Sequence, residues 1–457
     1  MSELKTNLQE ILQEKQEKII PENIKKNVTI FDVTGTYEGS GGTDTSDATA
    51  TAEDIMSGKT AYVAEGKVTG TYVEVMSETD YQTCLQLADD IMGNSAPAEG
   101  HIYGIKRTIG INNSKWERTD DSLGLTATAT HDGSSVLNNF DNLYPWKDII
   151  SYNYDINTNS ETARYGDSDF TFEPVENNIL VLTKIPTFWY KRIQEGNVEY
   201  IKIADYAADN FNKFDECSVA RYVVSGTSEE PIVKSKSTPL RSISIVDSRI
   251  LATTLGSEFK LLDWQTLGAI QLLYLVEYAD YNSQFTLGQG ISSSTVTASG
   301  GCDELGMKSG CFASDGKHSV IYRGIENVFG NLYQWLDGIN FQGSRGYVCN
   351  NPYAYESNVF DGEYVALSYT CATSGTYGFK VGCDNNNPLV MFATETGGSS
   401  TTGLTDLMRS ESSGNRVGSI GGFYSDEDYN GLFNTNNYYT ANASPSDRGV
   451  RIVRVHN

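Results

Sequence analysis

Redox, metal and hydrolytic chemistry each need particular residue types at particular spacings, and this sequence is poor in them. Its seven cysteines include no C-x-x-C pair. Reduced thiols are the expectation, with Cys302–Cys311 and Cys349–Cys371 left open as later pairs. The four histidines, His101, His131, His318 and His456, are scattered. They supply no His-x-x-x-His metal pair, and no nucleophile elbow accompanies them. Acids are abundant, so hydrolysis by paired carboxylates stays open. Asp426 and Asp428, the pair closest to hand, read instead as solvated loop charges.

Contact chemistry is what the sequence concentrates. The run GFYSDEDYNGLFNTNNYYTANASPS, Gly422–Ser446, is dense in Tyr, Asn, Ser, Asp and Thr. Tyrosine offers a large rigid surface with few torsions to freeze, and Asn and Ser add adaptable hydrogen bonds. The candidate ligand-binding residues are therefore Tyr424, Asp426, Asp428, Tyr429, Asn430, Asn434, Asn436, Asn437, Tyr438, Tyr439 and Asn442; no catalytic residue is assigned. An ordinary polar loop is the competing reading. No period of 2 or 3.6 runs through the stretch, so no face of it is expected in the core.

Two strand signals, Arg416–Ile420 and Val450–Val455, flank that run and are expected to anchor it. Further back, Asp263 reads as the N-cap of a helix over Trp264–Tyr278, apolar almost all round and hence central and buried. Phe259–Leu262 reads as a strand before it. Ile179–Tyr190 reads as a buried strand pair with Pro186 at an edge or bulge. Glu195-Gly196-Asn197 is a turn into Val198–Ile203.

The stretch Tyr322–Asn340, YRGIENVFGNLYQWLDGIN, is the expected organising centre. Gly330-Asn331 is a turn signal. Val328, Leu332 and Trp335 fall at i, i+4 and i+7, which predicts one apolar face on a short helical or bent segment. Gly330–Trp335, G-N-L-Y-Q-W, resembles the G-N-V-W-E-W signature of the formylglycine-generating-enzyme branch of the C-type lectin fold. Arg416-Val417-Gly418-Ser419 and Arg448-Gly449-Val450-Arg451 resemble the R-G-G-S and terminal G-F-R strands that bracket the family's ligand-facing loop. The resemblance spans roughly 101–456 and implies an α+β, C-type-lectin-like domain. The family's oxidising enzymes need two cysteines in that loop, and the last cysteine here is Cys383, so their activity is not expected. Family members hold calcium near the G-N turn. Gln334 replaces the glutamate and removes a charge that a hard cation favours, so no cofactor is assigned and calcium stays a candidate only. The loop also resembles the diversified region of retroelement-targeted lectins.

Ahead of that domain, residues 1–20 carry Leu4, Leu8 and Ile11 on one side of an expected amphipathic helix, used for attachment or oligomerisation. Residues 21–76 repeat one small β unit twice, ending in VTGTY at Val33–Tyr37 and Val68–Tyr72, with a Gly/Ser/Thr-rich linker between. Residues 77–100 are expected to form a helix, Thr79–Met92, and a linker, Gly93–Gly100, leaving 101–457 as the main domain. The VTGTY units resemble N-terminal modules of tail proteins from phages of Gram-positive gut bacteria.

A net charge of −25 over 457 residues opposes nonspecific nucleic-acid binding. No signal peptide is read at the N-terminus, and the apolar run at Leu272–Val276 is too short for membrane insertion. The expected protein is a virion component, made in the host cytoplasm. It acts as a tail-tip or tail-fibre receptor-binding protein for a bacterial surface glycan or protein, held to other tail or baseplate proteins by its N-terminus, as a homotrimer. A structural tail or baseplate protein without receptor contact is the alternative, and a surface-glycan-degrading enzyme the next.

Overall fold

The helix Trp264–Tyr278 is the element on which the larger unit is built. Asp263 caps it, accepting the Thr266 backbone N–H at 2.7 Å, and Ala279 ends it in the left-handed region with its N–H returned to the Leu275 carbonyl. Thirteen of its residues are buried, as expected for a helix apolar all round. Two of its buried polar residues have their side chains held by partners. Gln271 donates to the Leu432 carbonyl at 2.9 Å, and Glu277 accepts from Arg323 at 2.7 Å and Tyr322 at 2.9 Å. Gly268 permits a close approach, since a Cβ there would come within 2.3 Å of the Leu389 carbonyl oxygen.

This computed structural model describes residues 100–373 and 375–456, and, nearer the N-terminus, 24, 26–30, 33–36, 51, 59–63 and 66–69. The chain divides into two units, Met1–Ala98 and Glu99–Asn457. In the first, Thr29–Ile30 pairs antiparallel with Val33–Thr34, and Thr60–Val63 with Gly66–Thr69. Each hairpin belongs to one copy of the repeat. The helices expected over Leu4–Ile20 and Thr79–Met92 lie outside the described residues.

In the second unit sheet dominates, with few helices. A five-stranded sheet runs in the order Asn212–Phe214, Phe188–Glu195, Val198–Ala204, Ile102–Thr108, Glu117–Asp120. A six-stranded sheet runs Phe259–Leu261, Ile452–Val455, Cys217–Ala220, Ile179–Ile185, Ile150–Asp155, Ser160–Arg164. The third has nine strands, with Tyr333–Gln342, Asn415–Ile420, Thr435–Asn437 and Leu407–Ser410 adjacent in that order. One large core surrounds the helix, and a second gathers Trp335, Tyr152, Phe259 and Ile452.

Three expectations are corrected. Ile179–Ile185 and Phe188–Glu195 are both strands, but they belong to different sheets. Pro186, which has no N–H to give a ladder, lies in the link where the chain changes sheet. The segment after Gly330 is not helical: Tyr333–Gln342 is a ten-residue strand. Its strand geometry sends Trp335 to one core and Leu336 to the other, so Val328 and Trp335 share no single face. The turn itself is present, with Gly330 and Asn331 both at positive φ. Finally, the polar run is not all surface. Leu432 and Phe433 enter the core, and Thr435–Asn437 is a buried strand. It pairs antiparallel with Asn415–Ile420 and parallel with Leu407–Ser410.

Candidate functional site

The polar run divides by burial. Asn430, Asn434, Asn436 and Asn437 are buried, and several make internal bonds: Asn434 Nδ2 donates to the Tyr429 carbonyl at 2.8 Å, and Asn436 Oδ1 accepts the Tyr438 N–H at 3.2 Å. A surface ligand does not reach them, which corrects their assignment as contact residues. Tyr424, Asp426, Asp428 and Tyr439 are half-buried, and Asn442 is exposed. Tyr429 and Tyr438 keep 37% and 38% of their surface open to solvent, enough for a ring face to meet a partner.

An aromatic–arginine ladder fixes most of these tyrosines. The Arg409 guanidinium lies 3.8 Å from the Tyr438 ring centre, and Tyr438 meets Tyr439 edge-on at 5.0 Å. Arg448 lies between Tyr439 at 4.6 Å and Tyr333 at 4.1 Å. Tyr333 then stacks on Phe423 at 5.7 Å, and Phe423 meets Tyr424 at 5.0 Å. A cation–π contact contributes about 0.5–1 kcal/mol where exposed, as at Arg409–Tyr438, and up to about 2 kcal/mol where desolvated, as around the buried Arg448. Sheet pairing supports the ladder, because Tyr333 and Arg448 sit opposite each other in parallel strands. Arg448 also pairs with Asp447 at 2.5 Å.

Asp426 lies beneath the ladder. Burial pushes its carboxyl up to about 6, opposed by the neighbouring Tyr333 hydroxyl and by Arg448. Tyr429 stands apart from the ladder and packs on Tyr377 at 4.8 Å. Gln284 clamps the backbone on either side of it, donating to the Asp428 carbonyl at 2.6 Å and also to the Asn430 carbonyl. The loop is therefore tied down at both of its exposed tyrosines. Composition pointed to the tyrosines; nothing in it pointed to Arg409, Arg448, Tyr377 or Gln284, whose roles come from pairing across the sheet.

One constellation escaped the sequence reading. Ser218 Oγ lies 3.0 Å from His456 Nε2, and His456 Nδ1 lies 2.9 Å from Glu216 Oε1. Arg454, which can only donate, approaches Nε2 at 3.3 Å. That contact makes Nε2 an acceptor and places the proton on Nδ1, toward Glu216. Burial, then Arg454, holds the imidazole below its ordinary pKa. The three side chains thus have the relative order of a nucleophile, base and carboxylate. Ser218, however, has no solvent exposure and sits under the Tyr152 hydroxyl, which donates to it at 2.8 Å. A substrate carbonyl has no path to that oxygen, so the group ties the terminal strand to its neighbours.

At the G-N turn both ends of the Gln334 amide are engaged within the protein, by the Asn327 carbonyl and by Arg451. Among the described residues no group of three or more His, Cys, Asp or Glu side chains could hold a metal ion. Cys217, Cys302, Cys311, Cys349, Cys371 and Cys383 are free thiols. Among the described residues no helix is long and apolar enough to cross a membrane. No protein-family model matches this chain, and no curated protein matches it.

Proposed function

We propose that this chain is a phage tail-tip or tail-fibre protein that recognises a bacterial surface receptor through the exposed tyrosines of its C-terminal loop region. One observation carries the reading: Tyr429 and Tyr438 are exposed while held against a backing of rings and arginine. A preformed aromatic surface loses little entropy on binding, and tyrosine is enriched among residues that dominate interface energies. The proposed fold is C-type-lectin-like, of the formylglycine-generating-enzyme branch. In its support, the Gln334 of the G-N turn and the Arg451 of the terminal segment bond directly, and the R-x-G-S segment lies in the strand beside the turn's own strand. In this reading the N-terminal repeats attach the chain to the tail, and three copies assemble.

Adsorption of the purified full chain to a panel of Gram-positive gut isolates tests the proposal. The variant Tyr429→Ala/Tyr438→Ala should keep the wild-type circular dichroism spectrum and bind at least about tenfold less, the loss of one strong contact or more. Wild-type adsorption by the folded variant would place receptor binding elsewhere, and no adsorption by the wild-type chain to any isolate would leave a structural tail role.

A further inference from the structure

The clamp residue Gln284 also lines a cleft of about 730 Å³, within the range of small-molecule sites. Its rim carries Phe285, which is 72% exposed on the short helix Ser283–Leu287. Lys115 stands 5.5 Å from the ring centre and is neutralised by the buried Asp280 at 2.5 Å. Most of the remaining lining is hydroxyl and amide. Gln289, Thr128 and Ser314 line the cleft, as does His131, whose Nε2–H donates to the Thr286 carbonyl at 2.9 Å and so leaves Nδ1 as an acceptor.

We propose that this cleft is a saccharide-binding site, with Phe285 as the platform on which a sugar ring stacks. An aromatic face meets the C–H face of a pyranose, and amide and hydroxyl groups suit its outward hydroxyls. A peptide fits less well: apart from Phe285 and Tyr278, the apolar side chains lining the cleft are those of Ala127 and Ala129, too short to form a pocket for leucine or valine. The sugar is neutral or amino-bearing, because the cleft's own charges cancel and a protein of net charge −25 repels anionic polymers. The site is separate from the tyrosine surface, although Gln284 joins the two walls.

Saturation-transfer NMR of the full chain tests it, using glucose, galactose, rhamnose, N-acetylglucosamine, N-acetylgalactosamine and their β-linked dimers as probes. At least one probe should show transfer, concentrated on the C–H protons of one ring face. Phe285→Ala should reduce that transfer at least fivefold and Phe285→Trp should retain it, while Tyr429→Ala/Tyr438→Ala leaves it unchanged. No transfer to any probe, or transfer that survives Phe285→Ala, overturns the site, and so does capture of peptides from a random library with no sugar bound. Loss in the tyrosine variant alone would assign the sugar to the loop surface and overturn the cleft.

Discussion

Arg451 donates its Nε–H to the Gln334 side-chain oxygen at 2.5 Å, across 117 positions of sequence. The same guanidinium holds the Ala220 carbonyl at 2.5 Å, the Arg221 carbonyl at 3.1 Å, and those of Glu326 and Asn327 at 2.7 and 3.0 Å. Gln334 completes the loop by donating to the Asn327 carbonyl at 2.9 Å. One buried cation therefore locks the turn segment, the strand Cys217–Ala220 and the chain terminus together. Burial draws Arg451 down to about 9, with Glu326 opposing, so it remains charged at neutral pH.

Arg451→Ala should cost the domain at least about 3 kcal/mol, because it leaves several buried carbonyls without a donor. Gln334→Glu introduces the glutamate of the motif that this turn resembles, yet should also destabilise. The carboxylate gains Arg451, but its second oxygen then faces the Asn327 carbonyl where an N–H now sits. Urea midpoints of both variants check this. A Gln334→Glu midpoint at or above wild type would mean the amide donor contributes nothing.

Trp335→Ala should lower the thermal midpoint of the whole larger unit. The ring is buried in the second core, and its Nε1–H reaches the Ile243 carbonyl at 3.0 Å. Truncating a buried Trp costs about 3–5 kcal/mol, and the carbonyl left without its donor adds to that. A midpoint shift confined to a degree or two in calorimetry would contradict this packing.

The burial of Trp335 was legible in sequence, but its strand was not. Every residue from Tyr333 to Phe341 is buried, so no alternation showed, and the spacing of Val328, Leu332 and Trp335 imitated a helix. Trp264–Tyr278 was legible because length and a capping aspartate separate a buried helix from a buried strand. Thr435–Asn437 was hidden for the opposite reason: asparagine disfavours strands, and only pairing on both sides makes this one. The Ser218–His456–Glu216 group joins residues 238 positions apart, a distance over which no motif operates. At the candidate site, composition pointed to Tyr429 and Tyr438, which are exposed. It could not say that the asparagines between them turn inward.

Asp426 gives the domain a pH dependence of definite sign. Its folded value of about 6 lies above the ordinary 3.8, so the native state keeps the proton to higher pH than the unfolded chain. The contribution is complete below about pH 4, where both states are protonated, and is lost as pH rises through about 6. Measured between these limits, wild type should lose urea stability relative to Asp426→Asn, which cannot ionise. Comparison with the variant removes the background from the chain's many other acids. Parallel curves would mean that Asp426 is solvated in the folded protein.

Tyr439 separates the backing of the surface from the surface itself. It is half-buried, and its ring carries both the edge contact to Tyr438 and one face of Arg448. Tyr439→Phe keeps the ring and should leave adsorption to cells near wild type. Tyr439→Leu removes the π face on one side of Arg448, at a cost of about 0.5–2 kcal/mol, and frees Tyr438 to leave the rotamer that Arg409 and Tyr439 now hold. The fold should survive, because Tyr333 still packs on Arg448 and the Arg448–Asp447 pair is untouched. Binding should weaken even though Tyr438 itself is chemically unchanged. The loss should therefore be smaller than that of the Tyr429→Ala/Tyr438→Ala variant and should be concentrated in the dissociation rate, as expected when a contact loosens without disappearing. Equal adsorption and equal dissociation for the Leu and Phe variants would show that the ladder does not organise the recognition surface.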